Sequence, residues 1–309
     1  MKRYKNVYVP IPNRMIRLFK KSGITSAEEV KKILLKQALD GSSNAKAAIT
    51  TEHAWDRAGC TTVFVPRDVE EFVARSKFSI SEEAFRIPTK RQVAAFVFES
   101  GGTGLLWQSS LKAARVYVVD MLNLYLGPKQ FNVDFDDEKY NDGFATADER
   151  SLWLVSGDLR DLSILTEIYP TRLLIERLSH PEGLRTMAIT SPYDIAPTED
   201  DATHMRDLLM RIVKVCIYIC AFPDLLIPGW PEGVQTSQVI LPRVQRHSHE
   251  IRLPKESKRG VAMHLREGHF RALAHERFHR DTNGNIRIVQ VNPAVVGGKV
   301  DPKTVHKSK

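Results

Sequence analysis

The segment from Thr198 to Phe222, TEDDATHMRDLLMRIVKVCIYICAF, constrains the fold of this chain more than any other. Thr198 can cap a first helical turn, Glu199, Asp200 and Asp201 complement its dipole, and Pro223 bars continuation. Between these marks Met205, Leu208, Leu209, Ile212, Val213, Cys216, Ile217 and Cys220 recur at the helical period and form a wide apolar face. Such a helix belongs in the core, so the rest of the chain has to cover it. It is not a bilayer span: the run Ile212 to Phe222 holds 11 residues and includes Lys214, against about 20 apolar residues for a membrane crossing.

Strand signals supply the covering layers. Thr61–Val65 (TTVFV) ends at Pro66, and Val93–Phe98 and Leu105–Ser109 flank GGTG, where glycine tolerates the positive φ of a hairpin turn. A phosphate-binding loop is excluded at GGTG because no Lys-Ser or Lys-Thr pair follows. Val116–Met121 and Ser151–Val155 are further candidate strands, separated by an acidic stretch around Asp134 to Asp142 whose spacing does not match a helix-loop-helix calcium site. Helices are expected over Thr25–Gly41, where Thr25 and Glu28 have capping-box spacing, from Asp68 to Phe72, and over Asp158–Tyr169 and Arg172–Leu178 on either side of Pro170.

Charge divides the chain. From Pro242 to Lys309 nine Arg and six Lys stand against six Asp and Glu, a net of +9, which leaves −1 for residues 1–241; seven of the ten histidines also fall in the C-terminal part. The expected fold class is therefore α+β: a mixed body over 1–241 with antiparallel strands and a buried central helix, plus a basic, histidine-rich β-hairpin module over 242–309. Clustered cations gain by displacing counterions from phosphates, so RNA or a ribosome is the expected partner. With 42% hydrophobic residues, only three cysteines and no apolar export signal, a cytoplasmic, membrane-free protein is expected.

Within the module, Val261–Val296 reads as two extended halves around Asn283-Gly284, a strong hairpin signal. Period-two alternation puts Arg271, Leu273, His275, Arg277 and His279 on one face and Phe270, Ala272, Ala274, Glu276 and Phe278 on the other. Arg266, Arg271, Arg277 and Arg287 are the candidate phosphate contacts, with His264 and His269 shaping the site and Gly268, Phe270, Gly284 and Pro293 supporting it. Two other readings stay open: a metal-independent ribonuclease using His264 and His269 as acid and base, and a mobile-element protein that binds DNA. No cysteine or carboxylate grouping completes a zinc site around these histidines, and no cofactor is expected.

The string MHLREGHFRALAHERFHRDTNGNIRIVQVNPAVVGG resembles the ending of the type V-A anti-CRISPR family that suppresses production of its target nuclease. His264, Arg266, Gly268, His269, Phe270, Arg287, Pro293 and Val295 match that pattern, and the helix leading into CAFPDLLIPG is similar too, so the resemblance covers roughly residues 199 to 297. It implies a phage or plasmid regulator that acts without catalysis of its own. Such a regulator recognises the nascent polypeptide of a target nuclease and causes its messenger RNA to be lost during translation, directly or through a host nuclease.

Overall fold

A computed structural model describes residues 3–40, 52–88, 93–110, 150–157, 164–170, 174–175, 198–234, 242–253 and 269–291. In chain order the elements are α1 (Ile11–Phe19), α2 (Ala27–Leu39), α3 (52–57), β1 (Thr62–Val65), α4 (Arg67–Arg75), β2 (Lys77–Ser79), β3 (Val93–Phe98) and β4 (Thr103–Ser110). They continue with β5 (Arg150–Gly157), β6 (Ile164–Pro170), α5 (Glu199–Ala221), β7 (Leu226–Pro228), α6 (Pro242–Arg246), β8 (Ser248–Ile251), β9 (His269–Ala272) and β10 (Ile288–Val291).

Seven strands form one sheet in the order β6-β5-β4-β3-β1-β8-β7, with β1 parallel to both β3 and β8 and the other pairs antiparallel. Its middle strands are buried on both faces, which is why Val93–Phe98 (VAAFVF) carries no polar residue. Ala94, Phe96 and Phe98 enter the core shared with α5, while Val93, Ala95 and Val97 enter the core shared with Tyr8, α1, α2 and Trp55. The chain is thus an α+β protein with helices on both faces of its main sheet.

On the α5 side a second sheet, β10-β9-β2, covers the helix. This explains a difference from the one-faced helix expected above: Val215, Tyr218 and Ile219 are buried as fully as Ile212 or Cys216, because α5 is enclosed between two sheets and α4. Burial of that kind contributes roughly 1.5 to 3 kcal/mol per large apolar side chain. Lys214, the charge inside the apolar run, places its Nζ 5.5 Å from the centre of the Phe78 ring and donates to the Ala74 carbonyl, and burial lowers its pKa.

Several local expectations need correction. The box that starts α2 is Ser26–Glu29, not Thr25–Glu28: Glu29 N donates to Ser26 Oγ at 3.2 Å and Ser26 N to Glu29 Oε2 at 3.3 Å, while Glu28 is taken up by Lys31. The helix expected over Asp158–Tyr169 is not formed at its C-terminal end, where Ile164–Pro170 is a strand antiparallel to β5. Antiparallel pairing of Ile164–Pro170 with Ser151–Gly157 of β5 outweighs the local helical pattern. Of the helix expected over Arg172–Leu178, residues 174–175 are described and are helical. The expected strand Val116–Met121 and the acidic stretch lie outside the described residues.

The β3–β4 turn forms at the first two residues of GGTG, Gly101 and Gly102, at φ +117° and +97°, while Thr103 and Gly104 already pair within β4. Arg211 of α5 locks it, donating to Ser100 Oγ and the Gly101 carbonyl while its guanidinium lies 4.6 Å from the centre of the Phe98 ring. Among the described residues no helix is long and apolar enough to cross a membrane.

Candidate nucleic-acid interface

The basic strands expected at the C-terminal end exist, but they are joined differently. β9 and β10 pair antiparallel, Ala272 opposite Ile288 and His269 opposite Val291, with fifteen residues between them, so the extended halves do not run up to Asn283-Gly284 as expected. Asn283-Gly284 makes a turn inside that loop: Gly284 N donates to the Asp281 carbonyl at 2.9 Å with Gly284 at φ +78°. The reason is Asp281. Its carboxylate accepts Asn283 N, Asn285 N and Asn285 Nδ2, offering the backbone a local alternative to the ladder. Arg86 of the body donates to the same carboxylate at 3.2 Å and to the Ile286 carbonyl. Burial works against the Asp281 charge, yet the N–H groups of Asn285 and Asn283 and the Arg86 cation outweigh it and hold the carboxyl below its ordinary range.

The third strand of this sheet comes from the body. β2 runs parallel to β9, setting Lys77 beside His269 and Ser79 beside Arg271. Phe270 and Ile288 face α5 and are buried, and Phe270 stacks on Phe78 at 5.1 Å with rings 6° apart. Strand alternation then turns His269, Arg271, Val289 and Val291 to the other side. Arg271 is exposed and stands opposite Val289, and exposed Arg287 lies immediately before β10 beside Leu273, whose N–H donates to its carbonyl. This makes the two arginines diagonal neighbours on one face, about 7 to 8 Å apart at the backbone.

Beyond Leu273 the expected alternation stops. A turn at His275–Phe278, in which Arg277 N donates to His275 Nδ1 at 3.2 Å, leads into the Asp281 loop. His275, Arg277, His279 and Arg280 are all exposed, and the Arg277 guanidinium lies 4.8 Å from the centre of the Phe278 ring. Among the described residues no carboxylate lies within ion-pair distance of Arg271, Arg277, Arg280 or Arg287. Guanidinium groups presented this way can bind phosphate oxygens bidentately, and the Arg277–Phe278 pair offers a flat surface for a base.

Of the candidate residues, Arg271, Arg277 and Arg287 are thus brought to the surface of one ordered sheet and its loop, and Phe270 and Gly284 support it. His269, half-buried, opens β9. His264, Arg266, Gly268 and Pro293 lie outside the described residues. Sequence reasoning did not find Lys77, Phe78 or Arg86, because nothing in residues 77–86 signals pairing with a segment about 190 residues later. Among the described residues no three His, Cys, Asp or Glu side chains are placed to hold a metal ion. Comparison of the chain with protein-family models, with curated proteins and with solved structures finds no match.

Proposed function

We propose that this chain is a binding protein for RNA, carrying its contact surface on the outward side of β2-β9-β10 and the loop that closes it. The observation that carries this reading is the pair Arg271 on β9 and Arg287 immediately before β10, diagonal neighbours, both exposed and with no described carboxylate neutralising them. A surface of phosphate contacts positions a nucleic acid without reading its sequence. The test is the binding of fluorescein-labelled single-stranded RNA between low and high salt. Affinity falls steeply with salt if counterions are released, whereas an unchanged affinity would sink the reading.

The resemblance of the C-terminal string supports a more specific role on the same surface. In that role the chain is a mobile-element, anti-CRISPR-like inhibitor in the cytoplasm. It meets the nascent polypeptide of a target nuclease while the basic sheet docks on the message or the ribosome, and loss of the mRNA follows with or without a host nuclease. Crosslinking in translating cells followed by sequencing of bound RNA tests it. One enriched transcript supports this role, and uniform ribosomal RNA refutes it.

A further inference from the structure

On the opposite face of the main sheet, α1, α2 and α3 enclose a cavity of about 320 Å³, at the small end of the range for ligand pockets. Its deep wall is apolar: Ile11, Trp55, Leu34, Leu35 and Cys60 are each no more than 4% exposed. Among the described residues three carboxylates line it, those of Glu28, Glu52 and Asp56, against the one ammonium of Lys31.

The carboxylates are not equivalent. Glu28 is paired with Lys31 at 2.8 Å, and Asp56 with Arg243 at 2.9 Å. Among the described residues Glu52 accepts from neutral donors alone, the Tyr8 O–H at 2.8 Å and the Ile11 N–H at 2.6 Å, both on the same oxygen, Oε1. Among the described residues no cation lies within ion-pair distance of it. Arg14, 2% exposed, and Lys31 are both close enough to favour the Glu52 charge, but Arg14 lies over the Tyr8 ring, and among the described residues its Nε and Nη2 have no hydrogen-bond partner. An acidic group fixed by two hydrogen bonds, with its second oxygen uncommitted beside an apolar wall, is a recognition element for a ligand that carries both a cationic N–H donor and a hydrocarbon body.

We propose that this cavity binds a small organic ammonium compound, its nitrogen on Glu52 and its apolar part against Trp55, Leu34 and Leu35. The site is separate from the basic sheet and does not depend on the RNA reading.

Calorimetric titration of the full chain at pH 7.5 with phenethylammonium, 2-phenylethanol and 3-phenylpropionate tests it. Expected is saturable one-to-one binding of the ammonium compound with a dissociation constant below about 1 mM, at least tenfold tighter than that of the alcohol, and none of the carboxylate. Glu52→Gln, which keeps an acceptor for Tyr8 and Ile11, should abolish the preference for the cation. Ala27→Phe, which adds a ring to the cavity lining at the start of α2 and leaves the Glu52 carboxylate in place, should abolish binding of cation and alcohol alike. Preference for the anion, equal affinity for cation and alcohol in the unmodified chain, or no saturable heat overturns the proposal. The comparison of ligands on the unmodified chain holds even if a variant does not fold.

Discussion

The rings of Phe78 and Phe270 lie parallel, 5.1 Å apart, and join a strand near the first quarter of the chain to one near its end. Phe270 also contacts Tyr218, Phe222 and Phe72 edge-on, at centroid distances of 6.2 to 6.4 Å. The basic sheet is therefore held in place by an aromatic cluster drawn from α4 (Phe72), α5 (Tyr218) and the residue after α5 (Phe222), and its arginines are presented on a rigid support.

Truncating that anchor should cost both stability and binding. Phe270→Ala removes a fully buried ring, and a loss of about 3 to 5 kcal/mol is expected in urea unfolding. RNA affinity should fall with it, although Phe270 faces away from solvent.

The two diagonal arginines behave differently. Arg271→Ala and Arg287→Ala remove exposed side chains, so melting temperature should be unchanged. Each should reduce the salt slope of single-stranded RNA binding by about 0.7. A slope that stays the same in the double variant shows that the phosphates lie elsewhere.

Glu52 predicts an unusual pH dependence. Burial is the main cause that raises its carboxyl from 4.5 to about 6, with Arg14, the Ile11 N–H and the Tyr8 O–H opposing. The folded state therefore holds this proton more tightly than the unfolded state. The cost of the charge is fully present above pH 6 and disappears as pH falls below 4.5. Relative to Glu52→Gln, the unmodified chain should gain up to about 2 kcal/mol of stability between pH 7 and 4.5. His249, whose pKa burial lowers, acts in the opposite direction in an overlapping window, so the difference between the two chains is the quantity to measure.

Gly104 of β4 packs tightly against Leu208 and Ile212 of α5 and Leu154 of β5. A Cβ there would meet Ile212 Cδ1 and Leu154 Cδ1 at 3.0 Å and Leu208 Cδ2 at 3.2 Å. Gly104→Ala should destabilise by about 1 to 3 kcal/mol through overpacking, visible as a lower urea midpoint with an unchanged slope.

The cap of α2 gives a smaller, local effect. Ser26→Ala loses the acceptor for Glu29 N and should cost about 1 kcal/mol, whereas Thr25→Ala should cost less, since the Thr25 side chain makes no cap hydrogen bond.

What the sequence determined by itself is local. The long helix with its acidic start and proline stop, the β3–β4 hairpin around GGTG, and the alternation of Phe270 with Arg271 all follow from side-chain period and backbone permissiveness within a few residues. Only the tertiary structure decided the rest. Ile164–Tyr169 became a strand because β5 was there to pair with it. β8 entered the main sheet between β1 and β7, β2 reached across to β9, and Arg86 captured the Asp281 loop, so residues on both sides of position 241 share both sheets. The cavity around Glu52 likewise exists only where Tyr8, α1, α2 and α3 converge. Each of these is a contact between residues far apart in the chain, where the gain in burial and pairing is set by what lies opposite, and no local pattern encodes its partner.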